Sequence, residues 1–300
     1  MTSHLLTLYT RTPLHIGSGT SVDVVDLPLM RERITNFPVI PSTSLKGVLR
    51  QAGRDFSGKD GYSLATNDIL FGNKDDIQKD DKGKEKFHAG CLQIMEAKLL
   101  AFPVRSLGGC FAWLTCPAIL HRFQRDTGRV LVIPEIAKDQ AIVGQNSESV
   151  ISGQNSVVLE EYALTSVKAD EHADIADILA TLTDDPLWKD KLSKRLVILH
   201  DEDFQHFVST CTEVVARIVI DPKTRTNTNL FNQENIPCET LFYSVITVQA
   251  ARREGGEGTP ESHLAALLKT NPHLQIGGDE TTGHGFCEVK PTKLPLPLKA

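Results

Sequence analysis

Hydrophobic and polar positions alternate from the start of the chain. Residues 4 to 12 (HLLTLYTRT) set Leu6, Leu8 and Thr10 against Leu5, Thr7 and Tyr9, which predicts a first strand ending before Pro13. A loop around Gly17, Ser18 and Gly19 follows, and then the period changes. Leu45, Val48, Leu49, Ala52 and Phe56 fall on one face of a 3.6-residue repeat. Residues 44 to 56 therefore predict a helix, with candidate caps in Pro41-Ser42-Thr43-Ser44 and an end near Gly58.

Residues 74 to 86 (KDDIQKDDKGKEK) lack any apolar period and read as a charged, disordered insertion. After it, CLQIMEA, VRSLGGCFAWLT and PAILHRFQRD predict strand, hairpin turned at Gly108-Gly109, and helix. With the first strand and helix these make most of a ferredoxin-like unit. Residues 130 to 168 are irregular, and residues 130 to 192 are expected as a long loop followed by a helical insertion carrying Ile175, Ile178, Leu179 and Leu182. A short strand at 195 to 199 leads to a helix capped by Asp201. Two strands, 213 to 220 and 239 to 251, are expected to bracket a polar excursion at 221 to 238, forming an extended hairpin with a projecting tip. A helix at 261 to 269 precedes two short strands around a glycine-rich turn. The fold class expected is α+β, one domain over residues 1 to 300.

Composition adds bounds. The 300 residues are 40% apolar and 23% charged, enough for a buried core. No apolar stretch approaches the roughly 20 residues that span a bilayer. No basic-then-apolar segment follows Met1, so no membrane is expected and the location expected is cytoplasmic. Six cysteines without CxxC spacing predict reduced thiols, not structural zinc. The net charge of −6 argues at first against nucleic acid. Residues 170 to 190, however, hold seven acids and one lysine, a local balance of −6 that accounts for the whole. Residues 31 to 54 hold Arg31, Arg33, Lys46, Arg50 and Arg54 against Glu32 alone. Lys46, Arg50 and Arg54 recur every fourth residue on the predicted helix. They form either a solvated face or a ridge that tracks phosphates.

No HExxH, GxxxxGK[ST], GxSxG or EF-hand pattern is present. The stretch Gly277-Gly278-Asp-Glu-Thr-Thr-Gly283-His284-Gly285 is no dinucleotide loop, because too little chain remains for the required helix and strand. It is either a tight turn or a backbone surface that phosphate can approach closely. Asp23 and Asp26 stand beside Arg31 and Arg33, either as surface ion pairs or as acids held against a phosphodiester.

These segments taken in order carry a resemblance. Thr12-Pro13-Leu14-His15-Ile16-Gly17-Ser18-Gly19, Val24-Val25-Asp26, Arg31-Glu32-Arg33, Phe37-Pro38-Val39-Ile40-Pro41 and Ser44-Leu45-Lys46-Gly47-Val48-Leu49-Arg50 open the series. Ala101 to Ser106, Thr240 to Ser244 and Leu274 to Phe286 complete it. The set resembles the RAMP superfamily of CRISPR proteins, and within it the repeated backbone subunits of type III-B (Cmr) effector complexes. The resemblance implies a modified ferredoxin-like, RRM-like palm with finger insertions and a β-hairpin thumb at 221 to 238. It implies a helical homo-oligomer along a guide RNA (crRNA), with target RNA and other Cmr-type subunits as partners. The activity implied is endoribonuclease cleavage of guide-paired target RNA at regular intervals, with a divalent metal, Mg2+ or Mn2+, as cofactor. The alternative is a non-catalytic RNA-binding backbone subunit.

By the same resemblance the catalytic aspartate and metal ligand falls on Asp26. His15 and Glu234 are further catalytic candidates. Glu234 is the one acid in Gln233-Glu234-Asn235, where related sequences hold acidic and aromatic residues. Gly17, Ser18, Arg31, Arg33, Ser44, Lys46, Arg50, Gly277, Gly278, Gly283 and His284 are the RNA-binding candidates. Binding without regard to base sequence needs phosphate and shape contacts, which these residue types provide.

Overall fold

The computed structural model describes residues 1–20, 25–59, 61–73, 78–79, 83–252 and 258–295. The first strand, β1 (Thr2–Thr10), begins two residues earlier than its pattern predicts, and Leu5 through Thr10 are all buried. The alternation does not mark a half-exposed strand because β1 lies inside a sheet covered on both faces. β2 (Val39–Ile40) leads into α1 (Ser42–Phe56), which buries Leu45, Leu49, Gly53 and Phe56. The helix also starts two residues early. Pro41 occupies its N-cap and no side chain caps it, so the serines and threonine do not serve as expected. Gly53 permits α1 to approach α2 (Leu64–Phe71), since a Cβ there would collide with Asn67 and Tyr62.

Residues 74–77 and 80–82 of the expected disordered insertion lie outside the described residues. The flanking β3 (Gln78–Lys79) and β4 (Glu85–Lys86) pair antiparallel. β5 (Leu92–Ile94), β6 (Ala97–Ser106) and β7 (Cys110–Thr115) follow, and then α3 (Pro117–Thr127), which opens on a proline as predicted.

The stretch expected to be a long loop holds four strands: β8 (Gln140–Val143), β9 (Val150–Ile151), β10 (Ser156–Leu159) and β11 (Tyr162–Lys168). Three of them run four residues or fewer beside glycine, asparagine or serine, too short to show a period. Pairing with distant strands holds them. α4 (Glu171–Ala180), α5 (Pro186–Arg195), β12 (Leu196–Leu199) and α6 (Asp201–Thr210) come next. Asp201 does not cap its own helix. Its carboxylate accepts from the Ala118 N–H at the start of α3, at 2.9 Å.

β13 (Glu213–Ile220) pairs antiparallel with β14 (Asn227–Asn235), from Glu213↔Asn235 to Ile220↔Asn227. This corrects the expected hairpin: the second strand lies inside the polar excursion. The strand predicted at 239 to 251, β15 (Leu241–Val248), pairs with β1 instead. α7 (Pro260–Thr270), β16 (His273–Gln275) and β17 (Phe286–Lys293) close the chain, α7 under a Thr259–Ser262 capping box.

Two sheet systems share β6. On one side runs the order β17-β1-β15-β6, antiparallel throughout. On the other, β6-β7-β12-β8-β11-β10 returns to β6 through the single pair Leu159↔Ser106, closing a six-stranded barrel. Trp188 of α5 joins the two systems, with ring centroids 5.4 Å from Tyr9 on β1 and 5.0 Å from Trp113 on β7. Both contacts are edge-to-face, the favoured geometry for aromatic pairs. The architecture is mixed α+β.

Candidate functional site

Four segments meet at the root of the β13–β14 hairpin. Leu14 and Ile236 exchange backbone hydrogen bonds at 2.9 and 2.8 Å. The Met30 N–H donates to Ile16 at 2.7 Å and the Ser18 N–H to Pro28 at 3.0 Å. Leu27 in turn lies along β14 like a short parallel strand, donating to Asn232 and accepting from Glu234 at 3.1 and 3.0 Å. Pro28 prevents a helix here, so the segment takes the extended path that fits the flank of β14.

That path places Asp26. Its Oδ2 accepts from the Asn232 N–H at 2.8 Å, and its side chain is half-buried. Asp23 falls outside the described residues. His15 is buried, with Nδ1 2.7 Å from the Glu234 carbonyl oxygen. Nδ1 donates that bond, since a carbonyl oxygen only accepts.

Glu234 is also buried, and both of its carboxylate oxygens are taken. Oε2 accepts from the Leu29 N–H at 2.9 Å; Oε1 accepts from Arg31 at 2.6 Å and from the Thr212 hydroxyl at 2.7 Å. Burial would push its pKa up, but these three bonds outweigh it and hold the carboxyl below the ordinary glutamate value. Arg31 donates further to the Asn36 and Val208 carbonyls. The pair expected as catalytic acid and phosphate ligand is therefore a buried strut.

The glycine-rich segment packs against the same root. Gly278 donates to the His15 carbonyl at 2.9 Å and Gly285 to that of Pro13 at 2.8 Å. A Cβ on Gly277 would collide with the His15 carbonyl, and one on Gly285 with the Ile276 carbonyl. Gly277 thus makes way for its own chain, not for an incoming phosphate as expected. Around Gly283 the space is open.

Three residues that the sequence reading did not select complete the site. Asp279, at φ 63°, accepts from Arg217 of β13 at 2.8 Å through Oδ1 and from Gln233 of β14 at 2.7 Å through Oδ2. Burial would raise its pKa, yet the Gln233 and Arg217 contacts bring it below the usual aspartate value. His284 lies 3.4 Å from Arg217 and 3.2 Å from the Thr282 hydroxyl. One signal was available: Arg217 is the lone cation in the apolar run EVVARIVI.

The remaining candidates make no hydrogen bond to Asp26 among the described residues. Arg33 is exposed on the turn at 33–35, and Ser18 is exposed beside Pro28. Ser44 and Lys46 are half-buried on α1. Burial and the neighbouring Arg50 both lower the Lys46 pKa. Arg50 does not join a phosphate ridge. Its guanidinium donates to the Phe71 and Gly72 carbonyls, closing the C-terminal end of α2. Among the described residues no group of three His, Cys, Asp or Glu side chains is placed to hold a metal. The Asp26 carboxylate therefore fits a divalent ion only where RNA phosphates and water fill the remaining positions, an arrangement common for Mg2+.

This α+β fold, with a projecting hairpin rooted on a glycine-rich loop, has a defined family. Residues 7–288 match the RAMP superfamily, and the chain belongs to it. It is similar to the CRISPR system Cmr endoribonuclease Cmr4 of Pyrococcus furiosus, at 36% identity over 299 residues, 96% of this chain and 95% of the relative. It is also similar to the CMR subunit Cmr4 of Saccharolobus solfataricus, at 26% identity over 306 residues and 93% of each chain. The crystal structure of oligomeric Cmr4 from Pyrococcus furiosus superposes with a TM-score of 0.74 at 32% identity, covering 98% of this chain and 99% of that one. A chain of the type III-B Cmr-beta complex bound to cognate target RNA shares the fold, with a TM-score of 0.72 at 19% identity and 97% coverage of each.

Proposed function

We propose that this chain is an RNA-guided endoribonuclease subunit that also forms the repeating backbone of a type III-B CRISPR effector complex. The observation that carries the reading is end-to-end similarity to a relative named as an endoribonuclease, with an aspartate, Asp26, held at the hairpin root. We read β1, α1, β6, β15, α7 and β17 as a ferredoxin-like palm, because their chain order and the sheet order β17-β1-β15-β6 match that unit. The barrel and α3 to α6 are then finger insertions, and the β13–β14 hairpin is the thumb.

The chemistry follows from position. Cleavage by an adjacent 2′-hydroxyl needs an in-line arrangement that a stacked A-form duplex does not present. A hairpin driven into the duplex splays one nucleotide and creates it. Val214, Ile218, Ile220 and Leu230 are exposed on this hairpin, apolar surface suited to stand against an unstacked base. Asp26, fixed to the β14 backbone, moves with the hairpin and faces the splayed linkage. A divalent ion, Mg2+ or Mn2+, would be held by Asp26 and RNA phosphates, where it supplies charge stabilisation at a phosphodiester oxygen. Lys46, Arg33, Ser18, Gly17, Gly278, Gly283 and His284 remain the candidates for RNA contact. Arg31, Arg50 and Gly277 act instead inside the fold.

Among the described residues no group of three metal-ligating side chains is found, which favours a second reading, a non-cutting backbone subunit. One experiment separates them, in the reconstituted complex with guide and complementary target. Asp26→Asn is expected to bind target normally and to lose cleavage by about 10³-fold. Chelation of divalent ions in the unaltered complex should abolish cleavage, and Mg2+ or Mn2+ should restore it. Periodic cleavage at the normal rate by Asp26→Asn would assign cutting to another subunit.

A further inference from the structure

Resting on that reading, we propose that Asp279 is the positioning residue that sets the hairpin, together with the Asp26 segment it carries, against the glycine-rich loop, and so fixes where the target is cut. The Asp279 carboxylate gives one oxygen to each strand of the hairpin: Oδ1 to Arg217 on β13 at 2.8 Å and Oδ2 to Gln233 on β14 at 2.7 Å. No other residue described at the root ties both strands to the glycine-rich loop through one side chain. Gln233 is flanked by Asn232 and Glu234, whose backbones hold Asp26 and Leu27. On the loop side, the neighbouring Gly278 N–H is bonded to the His15 carbonyl. A shift of the hairpin about its root therefore displaces Asp26 directly, and Asp279 opposes the shift from the glycine-rich loop, beside the backbone bonds between Leu14 and Ile236.

Two features show that this contact is built into the root. Asp279 holds a left-handed backbone conformation, φ 63°, which disfavours most side chains yet suits Asp, Asn and Gly. Arg217 is partly buried, with 23% of its side chain exposed, and donates to Asp279 and His284. A cation placed there to grip RNA would point outward; this one points into the root. The bond is charge-assisted, stronger and more directional than a neutral contact. A rigid hairpin root matters because a misplacement of about 1 Å at a reacting centre costs on the order of 100-fold in rate.

The left-handed backbone makes the test clean, because Asp279→Gly removes the carboxylate without straining the chain. In the reconstituted complex, single-turnover cleavage by Asp279→Gly is expected to fall about 10- to 100-fold, with target Kd within about 3-fold of the unaltered complex. The cut positions should spread over neighbouring linkages. Asp279→Asn, which keeps one acceptor, should fall between the two. Arg217→Met should reproduce the loss, and the double variant Arg217→Met with Asp279→Gly should be no worse than the poorer single. Normal rate and normal cut positions in Asp279→Gly, with Asp26→Asn inactive, would overturn the positioning role and leave the nuclease reading intact. Losses that add, or that follow weakened target binding, would overturn it as well. Cleavage retained by Asp26→Asn would strike the nuclease reading itself, whatever Asp279 does.

Discussion

The Glu234 carboxylate accepts from Leu29, Arg31 and Thr212 at once, joining the 27–31 segment, the start of β13 and β14 itself. Removing a partner of a buried ion pair leaves the other charge without compensation. Glu234→Ala should therefore lower stability by about 3 kcal/mol, measured by urea unfolding. The pH dependence has a defined sign. Folding lowers the Glu234 pKa, so its contribution is fully present above the ordinary value of 4.5 and fades as pH falls through the lower folded value. Glu234→Gln should accordingly flatten the acid limb of the stability profile below about pH 4.5. At this scale residue types were legible and their partners were not. Arg31, Arg50 and Glu234 all stood out as charges, and a sequence does not display the carbonyls and acids, 20 to 200 positions away, that occupy them. The order of motifs singles out Asp26, whereas nothing in the sequence sets Asp279 apart from the glycines around it.

The hairpin strands sit largely outside the core. Val214, Val215, Ile218, Val219, Ile220 and Leu230 are all exposed, whereas β15 is buried along its whole length. Replacing residues 219–229 with Asn-Gly would join the paired residues Ile218 and Leu230 through a two-residue turn of the favoured type. The variant should melt within about 2 °C of the unaltered chain, since little buried surface is lost. It should keep the Arg217–Asp279 contact and still lose cleavage at regular intervals, because the projecting part proposed to splay the target is gone. Calorimetry and a target-cleavage ladder check the two halves. Helical spacing found α1 and α4, while α3 and α6 were marked by the proline and the aspartate near their starts. The second hairpin strand was misplaced because EVVARIVI looks like a core strand needing a buried partner, while TNLFNQEN looks like a loop. An exposed two-stranded ribbon breaks the rule that apolar strands pair inward.

Across the molecule, the acid-rich stretch at 170–190 becomes part of the packing. Asp185 pairs with Arg11, and Asp184 with Lys290 as well as with Lys189 of the same stretch, so its charge is partly answered by two cations from elsewhere in the sequence. Trp188 carries the same stretch into the core between Tyr9 and Trp113. The mixed α+β class was legible from the alternation of periods. The barrel was not, because its closure depends on 97–106 meeting 156–159, a pairing that no local pattern announces. That closure rests on one residue pair, Leu159↔Ser106, while β6 is laced to β15 along one edge and to β7 along the other. Such a ring has a weak seam and a strong spine, and thermal fluctuation should part it at the seam. In hydrogen–deuterium exchange, amides of β10 next to Leu159 should therefore label early, and those of β6 between Leu99 and Val104 last. Equal rates on both would mean that the barrel opens only when the whole chain unfolds. A seam that breathes while the spine holds would let the barrel wall flex without disturbing the β17-β1-β15-β6 sheet beside it.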